Sequence, residues 1–228
     1  MIHINNISKY YKVPAEDRGE AKKVAALLNV SMHVEAGEYV VVAGPSGAGK
    51  STLLKLVWGM TAVDEGVLML LGKNVAELSE DALAKLHRRM GFLFQDRRLS
   101  DQRTIFENVA LPMEMVGATR YRTRQRVFQV LEQVGMAAYA QKQVATLSEG
   151  EQQCIAVARA LVHYPILLLA DEPTTGLDDT RSHQIMGLLQ TAHQTGTTLL
   201  LATCQDSIAT PPPGRLVRIE KGRLGGRI

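Results

Sequence analysis

The chain has 228 residues, enough for one large domain with a sizeable core, and its 46% hydrophobic and 21% charged content is ordinary for a soluble globular protein. A net charge of +3 gives no ground to expect direct nucleic-acid binding. Two cysteines, Cys154 and Cys204, make no disulfide framework and fit a reducing compartment.

Ile2 to Ile7 alternates apolar and polar residues and reads as a strand, with no apolar leader core. Pro14 to Lys23 reads as a hairpin loop, and Val24 to Val34 resumes a strand pattern. Tyr11, near the end of the first strand, is either a half-buried strand residue or a ring that stacks on an adenine base. Glu35-Ala36-Gly37-Glu38 then turns into Tyr39–Ala43, a β-branched run suited to a buried strand. Next comes Gly44-Pro45-Ser46-Gly47-Ala48-Gly49-Lys50-Ser51-Thr52, followed by a helical pattern through Trp58. The strand, Gly-rich loop, helix order with G-x-x-x-x-G-K-S spacing is a phosphate cradle. The glycines let successive N–H groups turn inward, and the new helix adds its positive end. Lys50 then reaches β- and γ-phosphate oxygens, and the Ser51 hydroxyl serves Mg²⁺. Chance gives such a match in roughly one chain in a hundred of this length. The sequence therefore binds a nucleoside triphosphate.

Gly66 to Leu71 reads as a strand closed by Gly72, and Ser79 caps a helix to about Arg89. Gly91 to Phe94 is a short buried strand ending on Gln95, an amide placed to touch Mg²⁺ or an attacking water. From Asp96 the character turns helical. Ile105, Val109, Met113 and Val116 give one face, interrupted by Pro112; Val127, Val130, Leu131 and Val134 give another, ended by Gly135. Arg120, Arg122, Arg124 and Arg126, with Arg97 and Arg98 upstream, form a basic cluster. It is either a solvated helix face or a contact for an acidic partner or lipid head groups. Leu147-Ser148-Glu149-Gly150-Glu151-Gln152-Gln153 opens a helix to about His163 with Ser148 as N-cap, a second anion site. Ile166 to Ala170 is a continuous apolar run, typical of a central strand, and it ends in Asp171-Glu172. One carboxylate there can hold Mg²⁺ and the other can polarise water for attack on a γ-phosphate. A helix over Asp179–Gln194, a strand over Thr197–Thr203, a stiff loop Pro211–Gly214 and a strand over Leu216–Ile219 complete the chain. No apolar run approaches the ~20 residues of a membrane span, so work at a membrane needs spans from a separate chain.

In this order the phosphate loop, Gln95, Leu147–Gln152, Asp171-Glu172 and Gly176-Leu177-Asp178 resemble the ATP-binding-cassette ATPases over nearly the whole chain. Within them, Met90 to Asp96, Thr104 to Pro112 and Leu169 to Leu177 are most similar to cassettes of the FtsE cell-division type. Lipoprotein-releasing (LolD) and macrolide-export (MacB) cassettes share much of this. The resemblance implies an α/β P-loop fold with a mixed-sheet core, an N-terminal antiparallel β subdomain and an inserted helical subdomain. Core and β subdomain take 1–95 and 164–228, and the helical part about 96–163. It also implies ATP and Mg²⁺ as cofactors, the metal held by Ser51, Gln95 and Asp171. Two cassettes stack head to tail, each ATP lying between the phosphate loop of one and Ser148, Glu149, Gly150 and Glu151 of the other. Tyr11 stacks on adenine, Glu172 acts as base, Asp178 reaches across the interface, and an FtsX-like permease partner holds the cassettes at the cytoplasmic face of the membrane.

Three positions depart from the family pattern. Glu149 stands where the family carries glycine, and a carboxylate about 6 Å from a phosphate charge costs on the order of 3 kcal/mol at effective dielectric 20. Cys204 or Gln205, depending on the counting, stands at the switch histidine, and loss of such a group costs ~10²–10³ in rate. Cys154 also replaces an arginine. These changes divide the expectation between a slow ATPase driving a membrane partner and a nucleotide switch whose hydrolysis has decayed. A soluble DNA-repair cassette is a more distant alternative.

Overall fold

Alternation in Ile2-His3-Ile4 buries both isoleucines and exposes His3, and this seeds strand β1 (Ile2–Val13) in a computed structural model that describes residues 1–14, 22–205 and 214–225. The structure divides into two compact units: Met1–Leu83 with Ala202–Ile228, and Ala84–Leu201. The chain leaves the first unit within helix α2 (Glu80–His87) and returns within strand β8 (Thr198–Thr203).

In the first unit, β1 is flanked by β2 (Lys22–Val34) and β4 (Glu65–Leu70), with the short β5 (Lys73–Asn74) outside β4, in a four-stranded sheet. All these pairings are antiparallel, with Ile2 opposite Val34 and Leu70, and Ile4 opposite Met32 and Leu68. β1 runs six residues past its expected end at Ile7. The cause is a register shift between Ile4 and Ile7, with Asn6 left-handed at φ 47°, after which Ile7, Ser8 and Lys9 are buried in succession. The alternation that marks a strand is lost there although the pairing continues. β3 (Tyr39–Ala43) is buried throughout, pairs in parallel with β9 (Arg215–Glu220), and leads to helix α1 (Lys50–Trp58). β9 carries the two-residue β10 (Arg223–Leu224) antiparallel on its other side. The expected hairpin loop and the expected Pro211–Gly214 loop both lie largely outside the described residues.

The second unit holds β6 (Met90–Leu93), helices α3 (Ile105–Met115), α4 (Arg120–Gln133) and α5 (Glu149–Leu161), strand β7 (Leu167–Asp171) and helix α6 (Asp179–Gln194). β6 and β7 pair in parallel, and Thr198 N–H donates to Ile166 O (2.9 Å) where β8 begins. α3 packs on α4 and α5. Pro112 does not interrupt α3. A proline removes the bond its own N–H would make to the carbonyl four residues back, here Asn108. Asn108 is fully buried, and its side chain ties the entry turn: Nδ2 donates to the Ser100 and Thr104 carbonyls (3.0 Å each), and Oδ1 accepts from Ser100 N–H (2.8 Å). Among the described residues, no helix is long and apolar enough to cross a membrane.

Candidate nucleotide site

The phosphate loop belongs to the first unit, and backbone packing explains two of its three glycines. A Cβ on Gly44 would lie 2.1 Å from the Ile219 carbonyl oxygen, and one on Gly49 would lie 2.4 Å from that of Ala26. Gly49 is also left-handed, at φ 109°, a conformation that glycine adopts without steric cost. It caps α1 without a side chain, and no acid stands in the first turn, so the positive helix end is not neutralised there by an acid of its own. Lys50 is buried at 5% exposure, and its Nζ donates to the carbonyls of Gly44 (2.9 Å) and Pro45 (3.0 Å). The ammonium is thus drawn back across the loop that Pro45, Ser46, Gly47 and Ala48 form. Ser51 and Thr52 follow in the first turn of α1.

Two further elements border this loop. Ala26 and Leu27 of β2 lie against Gly49, and Tyr11 pairs with Val24 on the same strand, two residues from Ala26. Tyr11 is 41% exposed, and Lys9 Nζ lies 5.8 Å from its ring centroid. At the end of β8, Gly44 N–H donates to Thr203 O (3.3 Å), and Gln205 N–H donates to Thr203 Oγ1 (3.0 Å). Cys204 and Gln205 are both exposed just beyond.

In the second unit, the β6–β7 register sets Leu93 opposite Ala170. Gln95 and Glu172 each follow two residues later, at the same end of these strands. Gln95 is exposed; Asp171 and Glu172 are buried, at 4% and 8% exposure. Glu172 has φ 50°, an uncommon conformation for a side-chain-bearing residue, in a turn where its carbonyl accepts from Thr175 N–H (3.2 Å). Gln153 of α5 supports that turn through Nε2 to the Pro173 carbonyl (2.7 Å).

The N-terminus of α5 is closed by reciprocal bonds. Ser148 Oγ accepts from Glu151 N–H (3.3 Å), while Glu151 Oε2 accepts from Ser148 N–H and from its hydroxyl (2.8 Å each). The Ser148 hydroxyl bond, then the backbone one, hold the Glu151 carboxyl below its ordinary pKa. Glu149, 78% exposed at its side chain, pairs with Arg97: Nη1 lies 3.5 Å from Oε2 and donates to the Glu149 carbonyl (3.3 Å). The carboxylate expected to repel a phosphate therefore has a countercharge in its own chain. A Cβ on Gly150 would come within 2.6 Å of Arg181 Nη1, and Asp178 caps α6 by accepting from Arg181 N–H (2.8 Å). Cys154 is buried, which pushes its thiol pKa up.

Arg97 and Arg159 were not legible as members of this group. Arg97 and Arg98 are left-handed at φ 58° and 48°, and Arg159 of α5 donates to both of their carbonyls (2.5 and 2.6 Å). Burial brings the Arg159 pKa down to about 10, although nearby Asp96 works the other way. The available signal was an arginine inside the apolar stretch Cys154–Leu161. Arg97 carries no such signal, because its partner is 52 residues away.

Comparison with known proteins gives one consistent assignment. A family model described as ABC transporter matches residues 27–175. The cell division ATP-binding protein FtsE of Streptococcus pneumoniae (strain D39) is 40% identical over 199 residues, covering 87% of this chain and 86% of the relative. FtsE of Escherichia coli K12 is 36% identical over 228 residues, covering 100% and 99%. A solved dimeric post-hydrolysis structure of the ATP-binding cassette MJ0796, bound to ADP and Pi, has a TM-score of 0.89 at 31% identity and covers 100% of this chain and 98% of that one. The chain belongs to the ABC transporter family, as an ATP-binding-cassette ATPase.

Proposed function

We propose that the chain is the FtsE-type ATP-binding subunit of a membrane complex. It hydrolyses ATP slowly in a head-to-tail homodimer at the cytoplasmic face of the membrane, and so moves an FtsX-like partner in cell division or cell-wall remodelling. The observation that carries this reading is the likeness to FtsE proteins along nearly their whole length.

In this reading Gly44 to Thr52 hold the triphosphate, Tyr11 flanks the adenine, and Lys50 exchanges its loop carbonyls for β- and γ-phosphate oxygens. The donors assigned to Mg²⁺ are the Ser51 hydroxyl, the Gln95 amide and the Asp171 carboxylate, all hard oxygens of the kind that ion takes. Among the described residues, no group of three or more His, Cys, Asp or Glu side chains could hold a metal by itself. The remaining oxygen donors would come from the triphosphate. Bound there, Mg²⁺ would neutralise charge on the transferring phosphoryl group. Glu172, held in a buried turn, orients the attacking water. From the second cassette come Ser148, Glu149, Gly150, Glu151 and Asp178. At the switch, Gln205 can offer an amide hydrogen to a phosphate where a neutral Cys204 thiol is a poor donor, and slow turnover follows.

Phosphate release by the purified protein tests the chemistry. Glu172→Gln should lower it by ~10² or more, and equal rates would overturn the assignment of the base. Co-purification from solubilised membranes tests the partner. Recovery of a lipoprotein-releasing permease, with no FtsX-like protein, would move the function to export.

A further inference from the structure

The turn joining α3 to α4 combines two kinds of exposed side chain. Met115, Val116 and Tyr121 are 55%, 42% and 71% exposed, and Arg120, Arg122 and Arg124 are exposed beside them. None of these three arginines makes an ion pair among the described residues, and Glu114 is the only acid between Leu111 and Arg124. The turn itself is tied down, with Gly117 N–H donating to Glu114 O (2.9 Å) and Ala118 N–H to Met113 O (3.0 Å). α4 begins at a Thr119 cap with no acid in its first turn. Cations at a helix N-terminus oppose the helix dipole, so local stability would favour Asp or Glu there. Helix stability therefore gives no reason for arginines at this end, nor for the apolar side chains next to them.

We propose that this turn is a membrane-surface contact that takes anionic lipid head groups. Arginines meet the phosphates, while Met115 and Val116 enter the boundary of the acyl region and Tyr121 lies at head-group level with its polar end outward. An acidic protein partner would account for the arginines alone; the adjoining apolar side chains favour a bilayer. Three arginines near an anionic surface raise partitioning about 100-fold. One such signal gives weak, reversible binding. Beside a membrane-embedded partner it would act by raising effective concentration. Only that last step rests on the function proposed above; lipid binding stands without it.

The test is co-sedimentation of the full chain with phosphatidylcholine vesicles, with and without phosphatidylglycerol, at low and physiological salt. Binding should need the anionic lipid, weaken with salt, and fall to the phosphatidylcholine level in Arg120→Gln/Arg122→Gln/Arg124→Gln. Met115→Ser/Tyr121→Ser should weaken it several-fold with the salt dependence retained. ATP binding and the melting temperature are followed in every variant, so a misfolded protein is not mistaken for a loss of contact. Equal partitioning into both vesicle types, undiminished binding by the triple variant, or arginine-dependent binding to polyglutamate without binding to vesicles would each overturn the proposal. Loss of lipid binding would leave nucleotide hydrolysis untouched, and loss of hydrolysis would leave lipid binding untouched, so the two readings fail separately.

Discussion

At the scale of single residues, Glu149 and Arg97 matter as a pair. In the proposed head-to-tail dimer a carboxylate beside an incoming triphosphate would be costly alone, but Arg97 lies 3.5 Å from Glu149 and is itself only 24% exposed at its side chain. Exposed pairs of this kind are worth about 0.2–1 kcal/mol, so the larger effect of Arg97 is to offset the charge that a phosphate would meet. Arg97→Ala should therefore reduce ATP-dependent dimer formation in the native chain and have little effect in Glu149→Gly. Size-exclusion chromatography of the Glu172→Gln form would show the dependence, and equal effects in both backgrounds would separate Arg97 from Glu149. The two cysteines differ in another way. Cys154 is buried and its thiol pKa is raised by that burial, whereas Cys204 is exposed. Thiolate chemistry should follow: iodoacetamide at neutral pH should label Cys204 and spare Cys154 in the folded chain, as peptide mass spectrometry would report.

At the scale of elements, two helices start with the same device. Thr104 and Glu107 close a capping box on α3 as Ser148 and Glu151 do on α5. Thr104→Ala should cost about 1 kcal/mol and lower the melting temperature by ~2–4 °C, without changing nucleotide affinity. Calorimetry and ATP titration together check both halves of that expectation. The sequence pattern predicts most elements because buried runs such as Tyr39–Ala43 and Leu167–Asp171 carry their own signal. It loses β1 at the register shift, where three consecutive buried residues look like no strand period. It also overstates Pro112, which α3 runs through without ending. In the candidate site, the phosphate loop is legible because its spacing is local. The Arg159 clamp on the Arg97 and Arg98 carbonyls is not, since it joins residues about sixty positions apart.

At the scale of the whole molecule, stability should fall in two stages on the acid side of neutrality. Burial lowers the His163 pKa despite the bond between its Nε2 and the Met90 carbonyl (3.0 Å). A histidine held neutral contributes fully above its unfolded pKa of about 6.5, and loses that contribution as pH falls through the folded value. Asp64 is lowered chiefly by the Tyr10 N–H, Glu107 by the Thr104 N–H and Glu151 by the Ser148 hydroxyl. Their contributions are complete above an unfolded pKa of about 4 and are lost as pH falls through the lower folded values. The melting temperature should thus begin to fall below about pH 6.5 and fall more steeply below about pH 4. His163→Gln should flatten the first stage and leave the second. A first stage unchanged in that variant would remove His163 as its source.

The closed cap of α5 has one more consequence, which is a matter of counting hydrogens. Ser148 has a single hydroxyl hydrogen, and Glu151 Oε2 holds it at 2.8 Å. An anion arriving at this helix end can receive that hydrogen only if the hydroxyl rotates away from the carboxylate, which keeps the Ser148 N–H. Ser148 is thus a donor with a prior claimant. Its availability is set by how readily Glu151 gives up one of two bonds, so Glu151→Gln, with a weaker acceptor oxygen, should release the hydroxyl more easily than the native carboxylate does.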